Sequence, residues 1–141
     1  MRVFLDANIL VSVLNKEYPV FTNAARILSL ASNPMYKLVT FPLCIGIAFY
    51  FAEKKPGTKN ALGKIKLLTE HIQVGNMNHD MIQQVFQNKK VKDLQYGMEY
   101  YSAIHSKCQY IITENVKDFY FSEIEVLTSK EFVDIVSKPE G

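Results

Sequence analysis

Short apolar segments alternate with longer amphipathic ones along this chain, and that alternation is what most constrains its fold. Residues 2–5, 37–40 and 110–113 are brief apolar runs that predict buried strands, and residues 72–74 and 126–127 predict two shorter ones. Strands that are apolar on both faces and are separated by helices are typical of a parallel sheet covered on both sides. The sequence therefore predicts the α/β class with a central parallel sheet.

The segments between these strands carry apolar residues at helical spacing. One of them follows Phe41-Pro42 and is apolar nearly all round, which predicts a buried helix. Residues 114–121 are polar and predict irregular structure. The other helices are predicted over residues 10–14, 18–31, 61–72, 79–87, 94–106 and 131–136.

Length and composition exclude several classes of protein. A chain of 141 residues with 48% hydrophobic residues fits one domain, residues 1–141, and a net charge of +2 gives no strongly basic field. The longest uncharged run, between Lys37 and Glu53, has fifteen residues, and a membrane helix needs about 20. We therefore expect no membrane association.

The two cysteines, Cys44 and Cys108, lie in apolar segments without CxxC spacing. This arrangement suggests neither a disulfide scaffold nor a zinc site. We expect both to be small buried residues with free thiols, which suits a reducing cytoplasm.

Polar side chains follow two of the predicted strands. Asp6 and Asn8 come after the first, and Thr113 and Asn115, with Asp118 three residues later, come after the strand at 110. Ligands of parallel sheets gather beyond the carboxyl ends of the strands. Clustered acids repel one another unless a cation or a shared proton compensates, and oxygen ligands favour Mg²⁺ or Mn²⁺. Two such ions can hydrolyse a phosphodiester, although an aspartate after a strand is also a common helix N-cap.

The motifs that carry these residues resemble a known family. Residues 4–10, Phe-Leu-Asp-Ala-Asn-Ile-Leu, are similar to the first motif of PIN domains, the metal-dependent ribonuclease fold of many bacterial toxins. Residues 99–103 and 110–119 resemble the helix and the Thr-Arg-Asn-x-Lys-Asp-Phe signature of one PIN subgroup. A haloacid-dehalogenase interpretation is weaker, because Asn8 stands where that family has a second aspartate.

The resemblance covers nearly the whole chain, and it implies both a fold and a function. The fold is a PIN-like three-layer α/β/α sandwich. The function is that of an RNA endonuclease dependent on Mg²⁺ or Mn²⁺, the cytoplasmic toxin of a toxin–antitoxin pair. RNA, an antitoxin and a second copy of the chain are the implied partners.

The resemblance also assigns roles to individual residues. Asp6, Asn115 and Asp118 are implied as metal ligands, with Asp118 acting through water, and Asp6 and Asp118 as catalytic acids. Asn8 and Thr113 are implied to orient the ligands by hydrogen bonds.

Two positions that carry acids in the family hold other residues here, namely Ile47 and Tyr96. Asp93, one helical turn before Tyr96, is a candidate substitute for a catalytic acid. Glu99, one turn after Tyr96, is expected to face solvent. A site with so few carboxylates is expected to bind divalent ions weakly.

Two other groups of side chains are candidates for RNA contact. Lys89, Lys90 and Lys92 form a basic cluster that fits an RNA backbone, although a solvated surface is the usual explanation for such a cluster. Tyr96 is expected to face the cleft. The altered acid positions keep a second function open, a catalytically degenerate PIN-fold protein that binds RNA or a protein partner. A third interpretation treats the acids as caps and solvated groups only.

Overall fold

The computed structural model describes residues 1–138 and contains a parallel sheet of five strands. In the sheet the strands lie in the order third, second, first, fourth and fifth, so the first strand of the chain lies at the centre. All four neighbouring pairs are parallel. The strands are β1 (Arg2–Leu5), β2 (Lys37–Thr40), β3 (Gln73–Val74), β4 (Tyr110–Ile112) and β5 (Glu125–Leu127).

Helices cover this sheet on both sides and complete the predicted three-layer α/β/α sandwich, so the predicted fold class is confirmed. The last, second, first, third and fourth helices of the chain contact one another in that order, and the fifth helix packs on the sixth. None of the helices within residues 1–138 is long and apolar enough to cross a membrane. The helices are α1 (Ala7–Leu14), α2 (Val20–Ser29), α3 (Pro42–Lys54), α4 (Ala61–Thr69), α5 (His79–Gln87), α6 (Leu94–His105) and α7 (Ser129–Val136).

Most element boundaries agree with the sequence pattern, and the differences occur where side chains cap a helix or a turn intervenes. Helix α7 begins at Ser129, two residues before the predicted start, because Thr128 and Glu131 form a capping box at its N-terminus. The predicted irregular segment contains a short 3₁₀ turn, Val116–Phe119.

The central strand supplies the middle of the hydrophobic core. Val3 and Phe4 are fully buried, and the ring of Phe4 lies 6.2 Å from that of Phe41. Gly97 allows α6 to approach α5, because a Cβ at this position would lie 2.6 Å from Cγ1 of Val85. This close approach fixes the helix that carries Tyr96 and Glu99.

The strand order reverses between β1 and β4, and this reversal positions the polar residues. The chain proceeds from β1 to β2 and β3 in one direction, and then returns to β4 and β5 on the other side. Leu5 pairs with Ile112, and the backbone N–H of Asp6 donates to the carbonyl of Ile112. Asp6 and Thr113 are therefore neighbours at the carboxyl edge, the place where open α/β sheets bind ligands.

Candidate active site

The carboxylate of Asp6 is the centre of a buried hydrogen-bond network. The side chain is 2% exposed, and Oδ1 accepts a hydrogen bond of 2.6 Å from the backbone N–H of Ala7 at the start of α1. Oδ2 accepts 2.7 Å from the hydroxyl of Thr113 and 3.4 Å from the amide of Asn8. Asp6 is thus a helix N-cap, as one sequence interpretation held, but its second oxygen is directed to the sheet edge.

Asn8 and Thr113 join the loops that follow β1 and β4. The side-chain amide of Asn8 donates to the Thr113 hydroxyl at 3.1 Å, and its carbonyl oxygen accepts from the backbone of Glu114 at 3.2 Å. The backbone N–H of Asn115 donates to the same hydroxyl at 3.0 Å. These contacts hold the Asp6 carboxylate in one orientation.

Glu99 lies beside Asp6, so the expectation that it faces solvent is wrong. Its side chain is fully buried, and it accepts hydrogen bonds from the Cys44 thiol at 3.3 Å and from the Gln95 amide at 3.2 Å. Cys44 is also fully buried and, like Cys108, is a free thiol as predicted. One donor atom from each of Asp6, Cys44 and Glu99 lies within 4.8 Å of the other two.

The sequence missed Glu99 because the wrong face of α6 was taken as its buried face. The pattern favoured Leu94, Met98, Tyr101 and Ile104, yet Leu94 is exposed and the others are only partly buried. The buried face instead carries several small residues, which let the helix approach the sheet and α5 closely. Its members are Gly97, Glu99, Tyr100, Ser102 and Ala103.

Burial and charge shift the pKa of both groups that face Asp6. The pKa of Glu99 is raised to about 10, first by its burial and then by its hydrogen bond to Asp6 and the negative charge there. The pKa of Cys44 is raised well above its ordinary value by burial and by the charges of Glu99 and Asp6. Without a cation nearby, Glu99 therefore keeps its proton and shares it with Asp6.

This shift predicts that the metal-free protein loses stability as the pH rises. The unfolded chain releases the Glu99 proton near its ordinary pKa of 4.5, whereas the folded chain holds it up to about 10. The folded state therefore binds more protons between these values, and its stabilisation is complete below pH 4.5 and is lost towards pH 10. We expect the free energy of unfolding in chelator to fall by on the order of 1 kcal/mol per pH unit between those limits.

Urea unfolding at several pH values, compared with that of Glu99→Gln, measures this dependence. Glutamine is neutral and has nearly the shape of the protonated acid, so the variant should be much less sensitive to pH. An equal slope in the two proteins would show that Glu99 does not hold the proton.

A cleft of about 640 Å³ opens above Asp6. Asn8 and Asn115 line its polar part, and its walls include Val11, Val20 and Phe51 together with Ile47 and Tyr96, the two residues at the altered acid positions. None of the described residues that line the cleft is a lysine, an arginine or a histidine. Ser12, Glu17, Gln95 and Glu114 also line it, so the cleft mixes apolar and polar side chains and carries carboxylates without a cationic residue.

Tyr96 lies near both Asp6, which follows the first strand, and Asp118, which follows the fourth. Its pKa is raised to about 12 by burial and then by the negative charges of Asp118 and Asp6, which places its phenol near both carboxylates. Its ring packs on Phe119, with the centroids 5.1 Å apart. Asp118 is exposed on the 3₁₀ turn and borders an adjoining hollow with Asn115. Asp6, Asn115 and Asp118 thus face one edge of the molecule.

Asp93 does not reach this cleft, which corrects its assignment as a substitute acid. Its carboxylate is exposed and caps α6, accepting a hydrogen bond of 3.3 Å from the backbone N–H of Tyr96. Asp93 instead borders a separate hollow with Lys89 and Lys92, which are exposed, as is Lys90.

The fold and the site together define a class of protein. The parallel sheet and its helices make this an α/β protein. Its acidic and amide side chains lie at the reversal of the strand order, which is where open α/β sheets bind ligands. Residues 2–117 match the family described as the PIN domain. This chain belongs to the PIN domain family, as the two sequence motifs implied.

Individual relatives agree with this assignment. In an alignment of 142 positions that covers 94% of each protein, the chain is 29% identical to Ribonuclease VapC1 of Aquifex aeolicus. The fold is similar to VapBC-1 of nontypeable Haemophilus influenzae (TM-score 0.66, 19% identity, 92% of this chain and 99% of that one). It is also similar to VapBC2 of Rickettsia felis bound to a promoter DNA fragment (TM-score 0.65, 15% identity, 91% and 98%).

Proposed function

We propose that this protein is a divalent-metal-dependent RNA endonuclease and the toxin of a toxin–antitoxin pair. Membership of the PIN family and the similarity to a VapC ribonuclease over 94% of the chain support the class of activity. The observation that carries the proposal is the environment of Asp6, which is buried, oriented by Thr113 and Asn8, and located at the base of an open cleft.

The donor groups at this edge fit a divalent cation. Asp6 and Glu99 are two buried carboxylates in mutual contact, and a cation would allow both to ionise. Asn115 and the more distant Asp118 add oxygen donors on the open side of the cleft, Asp118 through water. A divalent ion such as Mg²⁺ or Mn²⁺ supplies a bound water of lowered pKa that can attack a phosphodiester.

The remaining residues orient the substrate and the ligands. Asn8 and Thr113 keep the Asp6 carboxylate in place through their hydrogen bonds. The Tyr96 phenol keeps its proton at neutral pH because its pKa is about 12, so it can donate a hydrogen bond to a phosphate oxygen. Lys89, Lys90 and Lys92 would contact the RNA backbone outside the cleft, where their charges are exposed.

The same proposal includes the partners and the location of the protein. Two similar folds are those of VapBC proteins, so we propose an antitoxin as the protein partner and a second copy of the chain as a dimer partner. Two free, buried thiols suit a cytoplasmic protein.

Cleavage of RNA by the purified protein tests this function. Structured RNA should be cut when Mg²⁺, Mn²⁺ or Zn²⁺ is added, and a chelator should stop the reaction. The absence of cleavage with each of these ions, in a protein shown to be folded by circular dichroism, would overturn the proposal.

The altered acid positions favour a second candidate function, a PIN-fold protein that binds RNA or a protein partner without cleaving it. Ile47 and Tyr96 both line the cleft, where they add an apolar surface and a phenol in place of carboxylates. Tight binding of RNA without cleavage would support this candidate.

Restoring the two acids should strengthen metal binding. We expect Ile47→Glu combined with Tyr96→Asp to raise the affinity for Mn²⁺ on the order of tenfold or more, equivalent to about 1.4 kcal/mol, because two carboxylates are added beside Asp6. Isothermal titration calorimetry measures the change. Leu62→Glu combined with Tyr50→Asp is the matched control, since both of these residues are exposed and neither lines the cleft. Equal affinities of the two double variants would contradict the placement of the metal site.

A further inference from the structure

Three side chains from three different elements meet beneath the cleft, and one of them is a thiol. Asp6 follows β1, Cys44 lies in the first turn of α3, and Glu99 lies in the middle of α6. Their exposed fractions are 2%, 0% and 0%, and their donor atoms lie within 4.8 Å of one another. No other group of three such side chains lies so close within residues 1–138.

We propose that Asp6, Cys44 and Glu99 bind the divalent cation directly, with Asn115 and Asp118 acting only through water on its open side, and that this site selects a thiophilic ion such as Zn²⁺ over Mg²⁺. The inference deepens the proposed function, because it names the ion and two of its ligands. Cys44 and Glu99 were not among the ligands expected from the sequence.

The distance between the Cys44 sulfur and the Glu99 carboxylate agrees with a tetrahedral ion. Zinc sites have Zn–S bonds of about 2.3 Å and Zn–O bonds of about 2.0 Å, which put neighbouring donor atoms roughly 3.5 Å apart. The Cys44 sulfur lies 3.3 Å from Oε1 of Glu99. A zinc ion between them would replace both the thiol proton of Cys44 and the proton that Glu99 keeps in the metal-free protein, and the two protons would pass to solvent. Small side-chain shifts would complete the site.

The number and kind of ligands also favour zinc. Catalytic zinc sites use three protein ligands and leave a fourth position for water or substrate, and here Asp6 borders the open cleft. Magnesium instead requires octahedral oxygen ligands and retains several waters, for which a site with a sulfur donor and full burial is poorly suited.

The surroundings of this group leave its negative groups to protons or to a metal ion. Two buried carboxylates and a thiol converge here, and no lysine, arginine or histidine is among the described residues that line the cleft. The ion pair found within residues 1–138 is the distant, exposed Lys130–Asp134 pair. A divalent cation at this site would therefore displace protons of the three side chains and would not compete with a cationic residue.

Titration of the metal-free protein with Cd²⁺ tests the inference directly, because cadmium bound to a thiolate gives an ultraviolet charge-transfer band. The wild-type protein should show this band and saturate at one equivalent, and Zn²⁺ should abolish it by competition. Mg²⁺ should compete at least 100-fold less effectively than Zn²⁺.

The second free cysteine offers a matched control. Cys108 is also buried but is not a member of the group. The band should disappear in Cys44→Ser and persist in Cys108→Ser. Glu99→Gln keeps both thiols and should weaken Cd²⁺ binding at least tenfold, so this variant tests the site even when Cys44→Ser does not fold.

The outcomes separate this inference from the proposed function, because metal uptake is measured without RNA. A wild-type protein that lacks the band, or a band that is lost equally in Cys108→Ser, would overturn the inference. RNA cleavage supported by Mg²⁺ without any cadmium–thiolate band would leave the nuclease and exclude the thiol ligand. A band in a protein that cleaves no RNA would keep the metal site and exclude the nuclease.

Discussion

Replacing Asp6 by asparagine is expected to lower the rate of metal-dependent RNA cleavage at least ~100-fold while leaving the fold intact. The substitution removes the carboxylate that both the nuclease proposal and the proposed zinc site place on the cation, and each factor of ten in rate corresponds to about 1.4 kcal/mol. Asparagine keeps an oxygen that can accept from the backbone of Ala7, as Asp6 does. It replaces the oxygen that accepts from Thr113 and Asn8 by an amide nitrogen that can only donate, so we expect the metal-free variant to fold but to be about 1–3 kcal/mol less stable than the wild type.

Initial rates on a labelled RNA, measured together with thermal unfolding in chelator, test this expectation. Asp93→Asn is the matched control, because Asp93 is exposed, caps α6 and does not line the cleft. Aspartate and asparagine are about equally good N-caps, so this control should match the wild type in both measurements. Activity in Asp6→Asn equal to that of the wild type would mean that the cleavage comes from a contaminating nuclease.

Replacing Phe4 by alanine is expected to destabilise the protein by about 3–5 kcal/mol. Phe4 is fully buried in the central strand and packs on Phe41. Truncation to alanine leaves a cavity beside Phe41 in the core, which its close-packed neighbours can fill only in part. Because native domains are stable by only about 5–15 kcal/mol, this loss is a large part of the total.

The free energy of unfolding from urea titration measures this loss. Phe86→Ala in α5 serves as the control, because this phenylalanine is 63% exposed and its removal should cost no more than about 0.5 kcal/mol. Similar losses for Phe4 and Phe86 would contradict the assignment of β1 to the centre of the core.

The strands and the pair of polar segments could be predicted because their signals are local. The apolar runs at 2–5, 37–40 and 110–113 became β1, β2 and β4 with changes of at most one residue. A strand followed by a polar residue marks the carboxyl edge, and parallel strands bring such edges together. The contact between Asp6 and Thr113 was predictable on this basis, although they are 107 positions apart.

The positions of Asp93 and Glu99 could not be obtained in the same way. Both are acids within one turn of Tyr96, and sequence spacing made Asp93 the better candidate for the cleft and Glu99 the better candidate for solvent. The structure reverses these assignments, because Asp93 serves as an N-cap and Glu99 lies on the helix face that contacts Asp6. Helical periodicity specifies which residues share a face, but it does not specify which face is buried.

The sequence by itself determined the α/β class, the parallel strands and the family to which the chain belongs, since each depends on patterns within a few residues or on motif similarity. Only the tertiary structure decided that Cys44 and Glu99 join Asp6. Their association depends on how α3 and α6 pack against the sheet, and Gly97 contributes to this packing because it lets α6 approach α5 closely. Contacts between side chains on separate elements arise from the summed packing of the whole core, which no single segment encodes.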